Sequence, residues 1–186
     1  MTVRKKKIDE TAEFWITYGI DLKKRRIYLD EEVDEFSMGW INRAIMLMVD
    51  LDDKAPIEVY INCFGGSVYD GLGLYDILSN INVPIHTYCV GSAMSMALLL
   101  FLAGDVRVAT PNSTFMAHSL SAGMGGKLSE MKVDMKESER LHKVLVKILA
   151  DNTLKSEKWW EAEIKHEDKY YDVKRAKELG IIIEEE

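Results

Sequence analysis

Short strand-like runs alternate with helical patterns of about 10 to 15 residues, and this alternation constrains the fold most. Residues 57–61 (IEVYI) are rich in β-branched side chains, as strands are, and a helical pattern follows over 68–80. Further strands are predicted at 26–29, 85–90, 106–109 and 114–117, and further helices at 36–48 and within the apolar segment 90–104. Strands that alternate with helices indicate βαβ units with mostly parallel pairing, so the sequence predicts one α/β domain.

Composition excludes several classes of protein. The 186 residues are 47% hydrophobic, enough for a sizeable core, and the net charge of -7 disfavours a nucleic-acid binder. The apolar run 93–103 is about half of the length that a membrane span needs. Cys63 and Cys89 lie in apolar strand-like runs, which indicates a reducing compartment rather than a disulfide framework. We therefore expect a cytoplasmic protein that binds neither nucleic acid nor membrane.

The two ends of the chain differ from its middle. Residues 1–20 are polar and weakly patterned, so a mobile arm or a partner-contact segment is predicted, followed by a single domain over 21–186. A long helix is predicted at about 128–152, and its first half carries only a thin apolar stripe. Such a helix often projects from the body or packs against another subunit. A last helix is predicted over 173–179.

Ser95 lies near the front of the most apolar stretch, VGSAMSMALLLFLAG, at a predicted strand-to-helix join. A nucleophilic serine suits such a sharp turn, because its hydroxyl is exposed and nearby amides can stabilise an oxyanion. The turn requires small residues two positions before and after the serine, and Ala93 and Ala97 fill these positions. Ser92 is the rival nucleophile, and a core serine at a crowded helix start is the alternative for Ser95.

A catalytic serine also needs a base, and His118 is the strongest candidate among four histidines. It follows the strand predicted at 114–117 and precedes the small-residue segment SLSAGMGG. In parallel sheets functional groups gather where strands end. His86 opens a strand, whereas His142 and His166 lie among charged residues, which is typical of a solvated face. A loop histidine without a role is the alternative for His118.

Two glycines, Gly65 and Gly66, follow the strand predicted at 57–61 directly. Amides without side chains can approach a ligand closely, which suits an oxyanion donor or a clamp for a peptide backbone. A tight turn is the structural alternative.

Four segments together resemble the signature blocks of the Clp protease proteolytic subunit (ClpP) family. They are YINCFGGSVYDGLGLYDIL, YCVGSAMSMALLLFLAG, PNSTFMAHSLSAGMGG and EDKYYDVKRAKELGII, in the family's order. The resemblance covers roughly residues 25–183. It implies an α/β fold, the ClpP/crotonase-like spiral of βαβ units, with one ClpP-like peptidase domain over 21–186. The helix at about 128–152 would be the family's protruding "handle".

The resemblance implies a catalytic triad of Ser95, His118 and Asp168. The family's nucleophile immediately precedes a methionine, here Met96, and its base follows an M-x-H pattern. Its acid lies in an E-x-D-x-[FY] block, and Asp168 of EDKYY is the match through the D-x-[FY] part of this block. Asp172 is the rival acid, but its position before the last helix favours an N-cap.

The family's substrate contacts carry over as well. The oxyanion donors would be the backbone amides of Gly66 and Met96, and an extended peptide would add a strand between residues 65–68 and 119–126. The substrate-binding residues predicted on this basis are Gly65, Ser67, Val68, Ser119 and Leu120.

The implied function is a serine endopeptidase that cleaves peptides and unfolded proteins through an acyl-enzyme, inside a ring-shaped chamber. Heptameric rings, a double ring (a tetradecamer) and an AAA+ Clp-type unfoldase are implied as partners. The chain would need no metal and no cofactor, since only the unfoldase would use ATP. The alternatives are a catalytically silent structural subunit of a mixed ring and a crotonase-fold enzyme acting on acyl-coenzyme A.

Several positions depart from the family pattern. The usual SPGG begins here with Cys63-Phe64, and the usual HQP after the base is HSL, so altered cleft walls are expected. The hydrophobic axial-loop sequence is absent. Tyr60 matches one aromatic of the unfoldase-docking pocket, but Asn80 replaces another. Glu167 replaces an arginine that pairs across the two rings, from which we expect weaker ring–ring contact at low salt.

Overall fold

In the computed structural model of the protein, residues 10–123 and 125–183 are described. The strands are β1 (Ile20–Asp21), β2 (Arg26–Leu29), β3 (Ile57–Cys63), β4 (Ile85–Met94), β5 (Val106–Ala109), β6 (Thr114–Ala117) and β7 (Lys169–Tyr171). The helices are α1 (Glu10–Tyr18), α2 (Glu35–Leu51), α3 (Val68–Asn80), α4 (Met96–Leu102), α5 (Leu128–Asp151), α6 (Glu157–Glu163) and α7 (Val173–Leu179).

The strands form one sheet in the order β1-β2-β3-β4-β6-β7, and β5 also pairs with β4. Pairing is parallel from β2 to β6, whereas the edge strands β1 and β7 are antiparallel to their neighbours. The strand β4 changes its partner along its length, because residues 86–89 pair with β5 and residues 92–94 pair with β6. The predicted α/β fold is confirmed.

The short helix α4 forms the centre of the core. All of its side chains are buried, with exposed fractions between 0% and 5%. A helix that is apolar on every face must be enclosed on every face, and α3, α5, β3, β4 and β6 surround α4. The residue that precedes this helix is therefore held against the buried core of the molecule. No helix in the described ranges is both long and apolar enough to cross a membrane.

The helix α2 buries only one of the two apolar stripes that its sequence shows. Its buried residues are Met38, Ile41, Ala44, Ile45 and Met48. The other stripe reaches the surface, since Phe36 and Trp40 have exposed fractions of 71% and 42%. Only one face of α2 packs into the core, and the Trp40 ring instead contacts Tyr18 of α1 at 4.9 Å.

The predicted N-terminal arm contains the helix α1, which its weak sequence pattern did not indicate. The Trp15 ring lies edge-on to Tyr28 of β2 at 6.5 Å, so this helix contacts the domain. Residues 1–9 of the predicted arm lie outside the described residues.

The helix α5 matches the long helix predicted at about 128–152. Its buried residues, Leu141, Val146, Ile148 and Leu149, all lie in the second half. The first half exposes Leu128, Val133 and Met135, by 69%, 67% and 53%. This half of α5 therefore leaves its apolar side chains uncovered by the described part of the chain.

Candidate active site

Ser95 occupies the turn between β4 and α4. Its backbone has φ 53° and ψ −124°, a region that non-glycine residues rarely adopt, and such strain costs about 1–3 kcal/mol. The turn is fixed on both sides, since the Ser95 amide donates to the Met116 carbonyl at 2.9 Å and the Leu98 amide donates to the Ser95 carbonyl at 3.1 Å. A rigid, strained turn therefore carries this hydroxyl.

The neighbours of Ser95 explain why the turn is possible. Ala93 and Ala97 are both fully buried, so a larger side chain at either position would collide with the core. As the N-cap residue of α4, Ser95 makes no side-chain capping bond. Its hydroxyl is thus directed at a different partner.

That partner is His118, whose Nε2 lies 2.7 Å from the Ser95 Oγ. The two residues meet because β4 and β6 are parallel neighbours that pair through residues 92–94 and 114–116. Ser95 and His118 follow the carboxyl ends of these strands, at the edge of the sheet where functional groups gather. The structure thus brings the predicted nucleophile and base into hydrogen-bond contact.

Asp168 reaches His118 through the antiparallel pairing of β6 and β7. Ala117 pairs with Lys169, and continuing this register by one residue places Asp168 opposite His118. The His118 Nδ1 lies 3.9 Å from the Asp168 Oδ1, with the side chains 26% and 55% exposed. This distance is too long for a hydrogen bond, although hydrogen bonds of this kind are often long before substrate binds.

The rival candidates have structural roles instead. The Ser92 hydroxyl lies 3.2 Å from the side-chain oxygen of Asn62, and Ser92 is only 7% exposed. Asp172 caps α7, since its carboxylate accepts the Arg175 amide at 2.7 Å. Within the described part of the chain, the hydrogen bond and ion pair of His118 are made with Ser95 and Asp168 and not with either of these side chains.

The oxyanion donors predicted at Gly66 and Met96 lie on the loop after β3 and at the start of α4. The Val33 amide donates to the Gly65 carbonyl at 2.9 Å, and the Ser67 amide donates to the Val33 carbonyl at 2.7 Å. Because backbone groups alternate along an extended chain, the Gly66 amide points away from Val33. Within residues 10–123 and 125–183, neither the Gly66 nor the Met96 amide has a hydrogen-bond partner.

Gly65 packs directly on the Ser95 turn. A Cβ atom on Gly65 would lie 2.8 Å from the Met94 carbonyl oxygen and 2.9 Å from the Met96 nitrogen. Its φ of +100° also disfavours any other residue. The glycine loop is thus both a tight turn and a close approach to the nucleophile.

Cys63 supports this loop from the buried side. Its Sγ accepts the Gly65 amide at 3.3 Å and donates to the Glu31 carbonyl at 2.9 Å. Burial raises the pKa of the Cys63 thiol, which keeps it protonated as this donor requires. The expectation that Cys63 alters the cleft wall is therefore wrong, whereas Phe64 does line the cleft.

A cleft of about 310 Å³ opens beside the Ser95 hydroxyl. Its lining residues are Phe64, Gly66, Val68, Ser95, Met96, Leu99, Met116, Ala117, His118, Leu120, Ser121, His142, Leu145, Leu149 and Ile164. Of the predicted substrate-binding residues, Val68 and Leu120 line this cleft. The other three are not among its lining residues. Gly65 packs against the Ser95 turn, and Ser119 directly follows His118 in the chain. Ser67 caps α3, with its hydroxyl 3.4 Å from the Asp70 amide.

His142 is a cleft residue that the sequence analysis missed. It is half-buried, and its Nδ1 accepts the Leu120 amide at 3.4 Å, so the prediction of a solvated face is wrong. Its spacing to Leu145 and Leu149, three and seven positions on, places all three on one side of α5. This spacing is the signal that could have found it.

A charged cluster ties α3 to α5 next to the cleft. The Tyr69 hydroxyl donates to Glu137 at 2.8 Å, and Arg140 donates to the same carboxylate at 2.6 Å and 2.8 Å. The hydrogen bonds from Arg140, and then from Tyr69, lower the pKa of Glu137 to about 2. The cluster is therefore charged at neutral pH. Among the described residues no group of three or more His, Cys, Asp or Glu could hold a metal ion.

A serine hydroxyl bonded to an imidazole at a strained strand–helix turn, beside two unpaired amides, is the arrangement of serine-type hydrolases. Comparison with known proteins narrows this class. The sequence model of the family described as Clp protease matches residues 10–184, so the chain belongs to the Clp protease family.

Curated relatives agree. The ATP-dependent Clp protease proteolytic subunit of Deinococcus radiodurans is 40% identical over 138 residues, which cover 73% of this chain and 68% of that protein. Proteins of the same name from Bacteroides fragilis and Bacteroides thetaiotaomicron are each 34% identical over 163 residues, 86% of this chain. The match covers 78% of the first and 73% of the second. The predicted ClpP-type fold and serine-peptidase class are thereby confirmed.

Proposed function

We propose that this chain hydrolyses peptide bonds through a covalent acyl-enzyme formed on Ser95. The observation that carries the proposal is the 2.7 Å contact between the Ser95 Oγ and the His118 Nε2 at a strained turn. His118 takes the hydroxyl proton as Ser95 attacks the scissile carbonyl, and then gives it to the leaving amine. Asp168 stabilises the imidazolium across 3.9 Å. Water, activated by the same imidazole, then releases the acyl group.

The amides of Gly66 and Met96 would hold the oxyanion of each tetrahedral intermediate. They lie on two different backbone segments that pack directly on each other at Gly65, so both donors are fixed before substrate arrives. Preorganised donors of this kind are typically worth about 10²–10³ in rate each.

An extended substrate would pair with the edge formed by residues 65–67. Val33 occupies the opposite side of this edge, which leaves the Gly66 N–H and C=O for the substrate. The segment from Ser119 to Leu120 would pair on the other side of the peptide. Main-chain hydrogen bonds would give affinity, and the cleft would accept a side chain next to the scissile bond.

A fluorophosphonate probe tests the chemistry. We expect it to label Ser95 alone, because the bonded imidazole makes this hydroxyl a stronger nucleophile than the others. Peptide mass spectrometry of the labelled protein locates the adduct. Labelling at no serine would favour the silent subunit or the acyl-coenzyme A enzyme over the peptidase.

Replacing Asp168 by asparagine should lower kcat by roughly 10- to 100-fold. A buried triad aspartate is worth roughly 10⁴-fold, but Asp168 is 55% exposed, so water screens its charge. The fold should be kept, as circular dichroism would show. Asp172→Asn is the matched control, since it removes an equal charge four residues away and should cost only some stability of α7. Activity lost in Asp172→Asn alone would make Asp172 the acid.

We further propose that the subunits form heptameric rings and a double ring that encloses the sites. The exposed apolar side chains on the first half of α5 (Leu128, Val133 and Met135) support this, because water-exposed apolar surface of this kind favours burial against another subunit.

Glu167 is not an isolated charge in the structure. Its carboxylate is paired with the Lys169 ammonium, which lowers the pKa of Glu167 and offsets its charge. We still expect the double ring to loosen into single rings at low salt, where repulsion is least screened, but the effect should be small. Lys169→Met should enlarge it and Glu167→Gln should abolish it. Sedimentation across a salt series measures both, and identical profiles for all three proteins would refute the role of Glu167.

Short peptides should be cut unaided, whereas folded proteins should require an ATP-driven AAA+ unfoldase as partner. Tyr60, on the proposed docking surface, stacks on Tyr88 at 4.8 Å. The Asn80 side-chain amide instead donates a hydrogen bond to the Asp76 carbonyl at 2.7 Å.

We propose that the chain itself needs no cofactor, that its substrates are peptides and unfolded proteins, and that it acts in the cytoplasm.

A further inference from the structure

The cleft beside Ser95 is apolar except at a few positions. Apart from the catalytic pair, His142 and Ser121 are the polar side chains among its lining residues. The walls near His142 come from Leu145 and Leu149 of α5 and from Met116 of β6. A substrate side chain that enters this cleft therefore meets apolar walls and one imidazole.

The hydrogen bond from Leu120 fixes which nitrogen of His142 can contact a substrate. In a neutral imidazole one nitrogen accepts and the other carries the proton. Because Nδ1 accepts the Leu120 amide at 3.4 Å, the proton lies on Nε2. Within the described ranges Nε2 has no hydrogen-bond partner, so a residue that lines the cleft carries one unused N–H donor.

We infer that His142 determines specificity at the position just before the scissile bond (P1) and selects a side chain that ends in a neutral hydrogen-bond acceptor, glutamine above all. This inference rests on the proposed function. The methylene groups of glutamine would pack on the leucines, its carbonyl oxygen would accept from the His142 Nε2–H, and its amide could donate to the Ser121 hydroxyl at the exposed end of the cleft.

Other P1 side chains fit this wall less well. An aliphatic side chain fills the volume but removes water from the N–H donor without replacing its hydrogen bond. A glutamate carboxylate among apolar walls is poorly solvated unless a full positive charge faces it. The leucine and glutamate substrates are therefore the informative comparisons.

The test uses fluorogenic peptides that differ only at P1, which is glutamine, leucine or glutamate. In the unaltered protein, kcat/KM should be highest for glutamine. In His142→Leu the ratio of kcat/KM for glutamine over leucine should fall by about tenfold. His142→Met, whose flexible side chain also lacks the donor, is measured alongside in case leucine is not accommodated. His142→Gln keeps a donor and an acceptor and should retain most of the preference.

His86→Leu is the matched control. His86 is also half-buried, but it lies on β4 opposite Val106 and away from the cleft, so the ratio should not change. Because the ratio compares two substrates on the same variant, any general loss of activity that follows from freeing the Leu120 amide cancels. An unchanged ratio in both donor-lacking variants, or an equal fall in His86→Leu, overturns the inference.

Fluorophosphonate labelling separates this failure from failure of the proposed function. If Ser95 is labelled and peptides are cut with no dependence on His142, only the specificity inference fails. If Ser95 is not labelled and no peptide is cut, the proposed function fails and the inference with it.

Discussion

Ser95→Ala should lower peptide hydrolysis by roughly 10³-fold or more, the largest effect expected of any single substitution in this chain. The members of a catalytic triad act as a unit, so loss of the nucleophile also makes the imidazole and the carboxylate ineffective. The substitution should not unfold the protein, because the Ser95 side chain makes no capping bond to α4. Steady-state hydrolysis of a fluorogenic peptide measures the loss.

Ser92→Ala is the control for this experiment. It removes a hydroxyl only three positions away, one that contacts Asn62 rather than a histidine. We expect activity within a few-fold of the unaltered protein. If Ser92→Ala abolished hydrolysis and Ser95→Ala did not, Ser92 would be the nucleophile.

Gly65→Ala should lower kcat by roughly 10²- to 10³-fold, the range found for loss of an oxyanion donor. The added methyl group would lie 2.8 Å from the Met94 carbonyl oxygen and 2.8 Å from the Ser95 Cβ, so the turn and the glycine loop must separate. Separation moves the Gly66 amide away from the Met96 amide. The effect should fall mainly on kcat, because an oxyanion exists only in the reacting state.

Gly73→Ala provides the comparison. Gly73 lies inside α3, and a Cβ atom there would meet nothing within 4 Å. Alanine favours a helix by about 1 kcal/mol over glycine, so this variant should be at least as stable and fully active. Thermal unfolding of both variants distinguishes a local change from global loss of structure. A Gly65→Ala protein with normal kcat would show that the two amides do not act together.

The parts of the site that depend on local sequence were predictable. The sequence predicts Ser95 at a strand–helix join, and in the structure the strand ends at Met94 and the helix begins at Met96. The Gly-Gly loop and the end of β6 were equally predictable, because β-branched runs and glycines determine local backbone geometry. The acid came from the family resemblance alone, which assigned Asp168 and left Asp172 as its rival.

The parts that depend on distant pairing were not predictable from local pattern. The strand β7 is three residues long and lies in a charged stretch, and only its pairing with β6 makes it a strand. The charged sequence neighbours of His142 indicate a solvated face, whereas the cleft that it lines is completed by residues of other elements. The helix α1 is stabilised by aromatic contacts with Tyr28 and Trp40, which composition does not reveal.

The antiparallel pairing of β7 with β6 has a consequence for the order in which the protein becomes active during synthesis. A ribosome translates Ser95 and His118 close together, but Asp168 emerges about fifty residues later. Until that segment leaves the exit tunnel and Lys169 pairs with Ala117, the nascent chain holds the proposed nucleophile and base without the proposed acid. Under the proposed mechanism, the unfinished polypeptide would therefore lack the carboxylate that stabilises the imidazolium, and full activity would depend on synthesis of the last part of the domain.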